Sequence, residues 1–91
     1  MSIMDEEEFK LIRQYKNKID LQTVISILEE IEQDYMHSEN LTSSIIFVYT
    51  NHLDVIRQNR EFYELLSKVL EKYSKRIGFE NISQLVINSL K

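Results

Sequence analysis

Phe9, Ile12, Tyr15 and Ile19 recur at the spacing of one helix face and predict a first helix over about residues 5–18. Asp5 is its expected N-cap, and Glu6, Glu7 and Glu8 suit the positive end of its dipole. A second stripe, Leu21, Val24, Ile25, Leu28, Ile31 and Tyr35, predicts a helix over about 21–36 with Asp20 as cap, the strongest helical signal in the chain. On a continuous wheel the two stripes fall on nearly opposite sides. One straight helix would bury only one of them, so a break is expected near Ile19–Asp20.

His37-Ser38-Glu39-Asn40 reads as a loop, with Asn40 or Ser38 capping the next helix. This third helix is expected over 41–57, its face formed by Leu41, Ile45, Val48, Tyr49, His52, Val55 and Ile56. Ile46, Phe47 and Leu53 add apolar surface elsewhere, which predicts a central helix with neighbours on more than one side. β-Branched residues at 45–50 make a strand the competing reading, but the helical period runs past them. The polar stretch 57–61 is either a turn or the middle of one long helix over 41–77, since Leu41, Val48, Val55, Phe62 and Val69 keep a seven-residue seam. A fourth helix is expected over 61–77 and ends at Gly78, the only glycine. After Phe79, Asn81 and Gln84 stand in capping-box register for a short helix over 82–90, whose stripe is Ile82, Leu85, Val86 and Leu90.

Composition narrows the picture. Ninety-one residues make one domain, 1–91, and 43% apolar content supplies one core. Proline and cysteine are absent, which favours helix throughout and excludes disulfides and thiolate zinc sites. The acidic N-terminus is not a secretory signal, and no apolar run approaches a membrane span. A cytoplasmic protein is the expectation. The net charge of −4 argues against general nucleic-acid binding. Residues 1–36 hold nine acids and four bases, whereas 57–76 hold six bases and three acids. Either two helices attract each other, or a basic face awaits an acidic partner or lipid surface.

Candidate chemistry is sparse. His37 and His52 lie fifteen residues apart, and His52 falls on an apolar face, as a partly buried, hydrogen-bonded histidine does. The acidic runs 5–8 and 29–34 read as a solvated end and a solvated face rather than a carboxylate pair in a cleft. No EF-hand, phosphate loop or nucleophile elbow is present, so no catalytic residue, cofactor or metal site is expected and the protein is not expected to be an enzyme. A helix-turn-helix regulator is a weaker alternative, because the last helix carries no Arg and only a terminal Lys.

Gln58-Asn59-Arg60-Glu61-Phe62-Tyr63 resembles a stretch that opens a long helix in the immunity proteins of pediocin-like (class IIa) bacteriocins, sakacin type. The order beyond it, Leu65 to Ile77, Phe79 and a short last helix, is also similar, and the resemblance covers about residues 21–90. It implies an antiparallel four-helix bundle that protects a bacteriocin producer by engaging a permease–bacteriocin complex at the inner membrane face. The isoleucine-rich, alanine-free composition looks like an AT-rich genome, and with the resemblance it points to a low-GC Gram-positive bacterium.

Together these readings predict an all-α protein, an antiparallel bundle of four helices or of five with the N-terminal one. Its expected core includes Leu21, Val24, Leu28, Ile31, Ile45, Val48, Phe62, Leu66, Val69, Tyr73, Leu85 and Val86. Function is expected through a protein partner, without membrane insertion, by a monomer or homodimer. Candidate contacts are Arg60, Lys72, Lys75 and Arg76, with Asn81, Ile87 and Asn88 on the outer face of the last helix. Ile87 is either an exposed apolar contact or packed on the first segment. The alternative to immunity is a phage or mobile-element regulator that inhibits a host protein by covering its surface.

Overall fold

The computed structural model describes residues 5–91. Among them it is entirely helical, with six helices and no strand: α1 (Glu6–Arg13), α2 (Leu21–Ser38), α3 (Leu41–Asn51), α4 (Leu53–Gln58), α5 (Arg60–Ile77) and α6 (Phe79–Leu90). The four or five helices expected become six because the chain breaks twice between residues 41 and 77, where the sequence allows one helix or two. His52 (φ −127°, ψ 33°) and Asn59 (φ −133°, ψ 45°) leave helical geometry. Just before the first break, the Thr50 hydroxyl donates to the Ile46 carbonyl at 2.8 Å, a back-bond that bends helices. His52 is then held at 2.8 Å from Glu30 of α2. The histidine is thus half-buried and hydrogen-bonded, as its place on the apolar face implied.

Local capping follows the sequence in three places. Asp5 accepts from Glu7 N, Asp20 from Gln22 N, and Asn40 from Ser43 N. The break between the first two stripes is present, but the first helix ends at Arg13, and residues 14–18 wind as turns through bonds such as Tyr15 N to Ile12 O. The expected loop at 37–40 shrinks to Glu39-Asn40, because α2 runs on to Ser38 and closes with Glu39 in the left-handed region (φ 56°). Gly78 alone separates α5 from α6; its φ of 90° and ψ of 146° are open to glycine. The capping box at Asn81 and Gln84 does not form. α6 already begins at Phe79, and the Asn81 amide instead donates to the Ile77 carbonyl at the end of α5.

α2 packs chiefly on α3 and α5 chiefly on α6; α2 also meets α6, α3 touches α5 more lightly, and α1 rests on α5 and α6. Ten of the twelve expected core residues are buried, while Leu21 and Leu85 are half-buried at its edge. Ile27 and Tyr63, outside the expected stripes, are fully buried because α2 and α5 are flanked on two sides. The central place expected for the third helix belongs to α5 instead. Ile46, Phe47 and Leu53 are 61%, 57% and 45% exposed, so the extra apolar surface of α3 and α4 faces outward.

Polar ties fix this packing. The Tyr49 hydroxyl donates to the Tyr63 carbonyl at 3.0 Å and accepts from Ser67 at 2.8 Å, joining α3 to α5. Burial pushes the Tyr49 phenol well above its ordinary range, partly opposed by the Ser67 bond, and burial also raises Tyr63. Ser44 donates to Asp34 at 2.6 Å between α2 and α3. Glu8, buried on α1, accepts from Lys72 at 2.7 Å and from the Tyr73 hydroxyl at 3.2 Å, so the first helix is pinned by a charge-assisted bond. That bond raises the Lys72 ammonium above its usual value.

Candidate functional site

Two grooves of opposite chemistry flank the α5–α6 pair. The first lies between α2 and α6 and encloses ≈ 200 Å³. Glu29 and Glu32 stand three residues apart on α2, and Glu80, Ser83 and Gln84 share one face of α6. Its apolar bed is Ile25, Leu28, Phe79 and Ile87. Neither α2 nor α6 contains Lys or Arg, so no cation of either helix neutralises these carboxylates. Glu29, Glu32 and Glu80 make no side-chain hydrogen bond or ion pair among the described residues. Ser83 is 8% exposed, and its hydroxyl, buried in the groove wall, has no hydrogen-bond partner among the described residues. A serine in a helix ordinarily finds the carbonyl four residues back; leaving the group bare costs about 1–3 kcal/mol. Gln84 donates through Nε2 to Asn88 Oδ1 at 3.2 Å, which leaves its own carbonyl oxygen over the groove's rim without a partner among the described residues.

The donor set is all oxygen, with three carboxylates, one hydroxyl and one amide, the ligand chemistry of a hard divalent cation. It is not a finished cage: among the described residues no three His, Cys, Asp or Glu side chains converge as one. Glu29 and Glu80 are exposed and Glu32 is half-buried, so three flexible stems must swing inward to share an ion.

The second groove lies between α3 and α5 and encloses ≈ 890 Å³. Ile45, Ile46, Tyr49 and Tyr63 form its floor and near wall, and Arg57, Arg60, Lys68 and Lys72 stand around it. Arg60 pairs with Glu64 at 2.9 Å and Lys72 with Glu8, whereas Arg57 and Lys68 pair with no carboxylate among the described residues.

The expected contact residues are therefore not one patch. Arg60 and Lys72 share the α3–α5 groove. Lys75 lies in a separate depression with Glu39, Asn40 and Glu71, and Arg76 is exposed on the last turn of α5. Ile87 is half-buried and lines the α2–α6 groove, Asn88 accepts from Gln84 beside it, and Asn81 is engaged in capping α5. Glu29 and Glu32, read from the sequence as part of a solvated face, border a groove. The available signal was the absence of Lys and Arg from 21–38 and 79–90, together with Ser83 beside Ile82 on an otherwise apolar stripe.

The model of a family described as calcium binding protein SSO6904 matches residues 1–90. The chain is also similar to the archaeal protein SSO6904 from hyperthermophilic Sulfolobus solfataricus, known from a solution structure. The two are 46% identical, with a TM-score of 0.90, over 100% of this chain and 92% of that one. No curated protein matches. These matches overturn the resemblance to bacteriocin immunity proteins, the immunity function it implied and the low-GC Gram-positive source. They support the mobile-element regulator no better. The resemblance rested on six residues, 58–63, which span the Asn59 break and the start of an amphipathic helix, a pattern that many helical proteins share.

Proposed function

The chain belongs to the family described as calcium binding protein SSO6904, and from that premise we propose that it binds Ca²⁺ in the groove between α2 and α6. One observation carries the choice of site: a buried Ser83 hydroxyl, without a partner among the described residues, lies in the wall of a groove with three carboxylates and no base. Glu29 and Glu32 would hold the ion from α2 and Glu80 from α6, with Ser83 and Gln84 as neutral oxygen donors. Bound there, the ion supplies the positive charge that both helices lack. Water completes the shell, because Ca²⁺ takes six to eight oxygens and the side chains here are too few. An open site with side chains that must be ordered on binding is weak, with Kd on the order of 10⁻⁴–10⁻³ M. The depression at Glu39 and Glu71 is the poorer candidate, since Lys75 already stands in it.

The short links at Glu39-Asn40 and Gly78 support a finer description of the fold: α2, α3, α5 and α6 as an antiparallel four-helix bundle, α1 as an N-terminal addition and α4 as a piece of the α3–α5 connection. In that arrangement the ion sits on a seam of the bundle. It ties the N-terminal pair of helices to the C-terminal pair and raises stability by mass action.

Calorimetric titration with CaCl₂ tests the reading against Glu29→Gln/Glu32→Gln/Glu80→Gln. The wild type is expected to bind one ion and the triple variant about tenfold or more weakly. Equal heats from the two proteins would reject this site, and no heat from either would reject Ca²⁺ binding itself.

A further inference from the structure

The geometry assigns the groove between α3 and α5 to a second ligand, an acidic amphipathic helix of a partner protein. The groove is a place where two helices part rather than a pit: its lining runs along α5 from Arg60 to Lys72. Twelve residue steps at helical rise make a trough about 18 Å long, the length of a little over three turns of a guest helix. Its floor is apolar, with Ile45, Tyr49 and Tyr63, and Ile46 stands on the edge 61% exposed, an aliphatic side chain with no neighbour to cover it. That is the form of a groove which takes the apolar face of a helix at i, i+3, i+4 and i+7.

Charge decides the sign of the guest. Four cations and only two carboxylates, Glu64 and Glu71, line the trough. Glu64 and Glu8 occupy Arg60 and Lys72, but Arg57 and Lys68 are left without a carboxylate among the described residues. On a chain of net charge −4, this is a local inversion of sign rather than a general basic character. Glutamates flanking the guest's apolar face would meet Arg57 near one end and Lys68 near the other, which sets register and speeds association. A second copy of this chain is the poorer guest. Its own acidic helices, α1 and α2, already bury their apolar faces, including Phe9, Ile12, Val24 and Ile31.

Fluorescence anisotropy with two labelled 14-residue peptides tests the assignment. Both carry leucine at i, i+3, i+4 and i+7; one has glutamate and the other lysine at the flanking positions. The full chain is expected to bind the glutamate peptide about tenfold or more tightly than the lysine peptide, with affinity falling as salt rises. Arg57→Glu/Lys68→Glu should reverse that preference, and Ile46→Asp should weaken both peptides. All three positions are exposed, and an unchanged helical circular dichroism signal shows that the variants fold. Indifference to peptide charge, no binding of the glutamate peptide, or an unaltered preference in the double variant would each overturn the assignment. Dodecanoate that binds where the peptide does not would replace the guest by a small amphiphile. Self-association that Arg57→Glu/Lys68→Glu abolishes, without peptide binding, would replace it by a second copy.

Discussion

The α2–α6 and α3–α5 grooves are built from different helix pairs and differ in size, ≈ 200 against ≈ 890 Å³, but above all they differ in what their walls lack. The first has three carboxylates and no base, with a bare hydroxyl in its wall; the second has an apolar floor and four cations, two of which, Arg57 and Lys68, meet no acid among the described residues. Each groove leaves one sign of charge uncompensated. Stability does not ask for either imbalance. A base on α6, or a carboxylate facing Arg57, would lower the electrostatic energy of the free protein. The contrast teaches that the useful feature of a small helical protein is where its helices fail to neutralise each other.

The broadest way to break the contrast is to weaken the core behind both grooves. Phe62→Ala empties a fully buried site on α5 and is expected to cost about 3–5 kcal/mol in urea denaturation, weakening both sites together. A loss confined to one groove would show that the two do not share this core. Gly78→Ala acts on the joint between α5 and α6. The new Cβ meets only Asn81 at 3.8 Å, so the expected cost of about 1–2 kcal/mol is conformational, from φ of 90°. Because that joint sets where α6 stands, the α2–α6 groove should lose affinity while the α3–α5 groove keeps its own.

pH sharpens the contrast from the other side. Tyr49 and Tyr63, both lining the α3–α5 groove, have phenols raised by burial above the ordinary value of 10.0. A group whose folded value is raised lends stability that is complete below the unfolded value and fades as pH climbs towards the folded one. Stability measured by denaturation should therefore fall above pH about 10, and Tyr49→Phe should flatten that fall. The smallest expected effect belongs to Ser83→Ala. It removes a hydroxyl without a partner, so the metal-free protein should be as stable or slightly more stable, whereas Ca²⁺ affinity should drop by about two- to threefold. A clear loss of stability in the metal-free state would mean that Ser83 is satisfied by a neighbour and has no part in the site.

Much of the fold was legible in residue order. Stripes such as Leu21–Tyr35 and Phe62–Ile77 have one periodicity that only a helix buries, and Asp5, Asp20 and Asn40 cap where their side chains say they should. The break at His52 was not, because neither Gly nor Pro marks it and a contact across the fold, His52 to Glu30, holds it, and the one at Asn59 was only one of two readings of the polar stretch 57–61. Ile46, Phe47 and Leu53 misled, since an apolar residue predicts burial only where a neighbour exists to cover it. The acidic groove left only an indirect trace, the lack of Lys and Arg in both helices, for a similar reason. Glu29 and Glu80 lie 51 positions apart, and nothing local in either helix says that the two face each other.

Amide chemical shifts recorded while CaCl₂ is added to the ¹⁵N-labelled full chain test the central claim most directly. Saturating shifts confined to α2 around Glu29 and Glu32 and to α6 from Glu80 to Ile87, abolished by replacing the three glutamates with glutamine, are the predicted result. Saturating shifts at Asp5–Glu8 or around Glu39 and Glu71, with the α2–α6 seam unmoved, would contradict it.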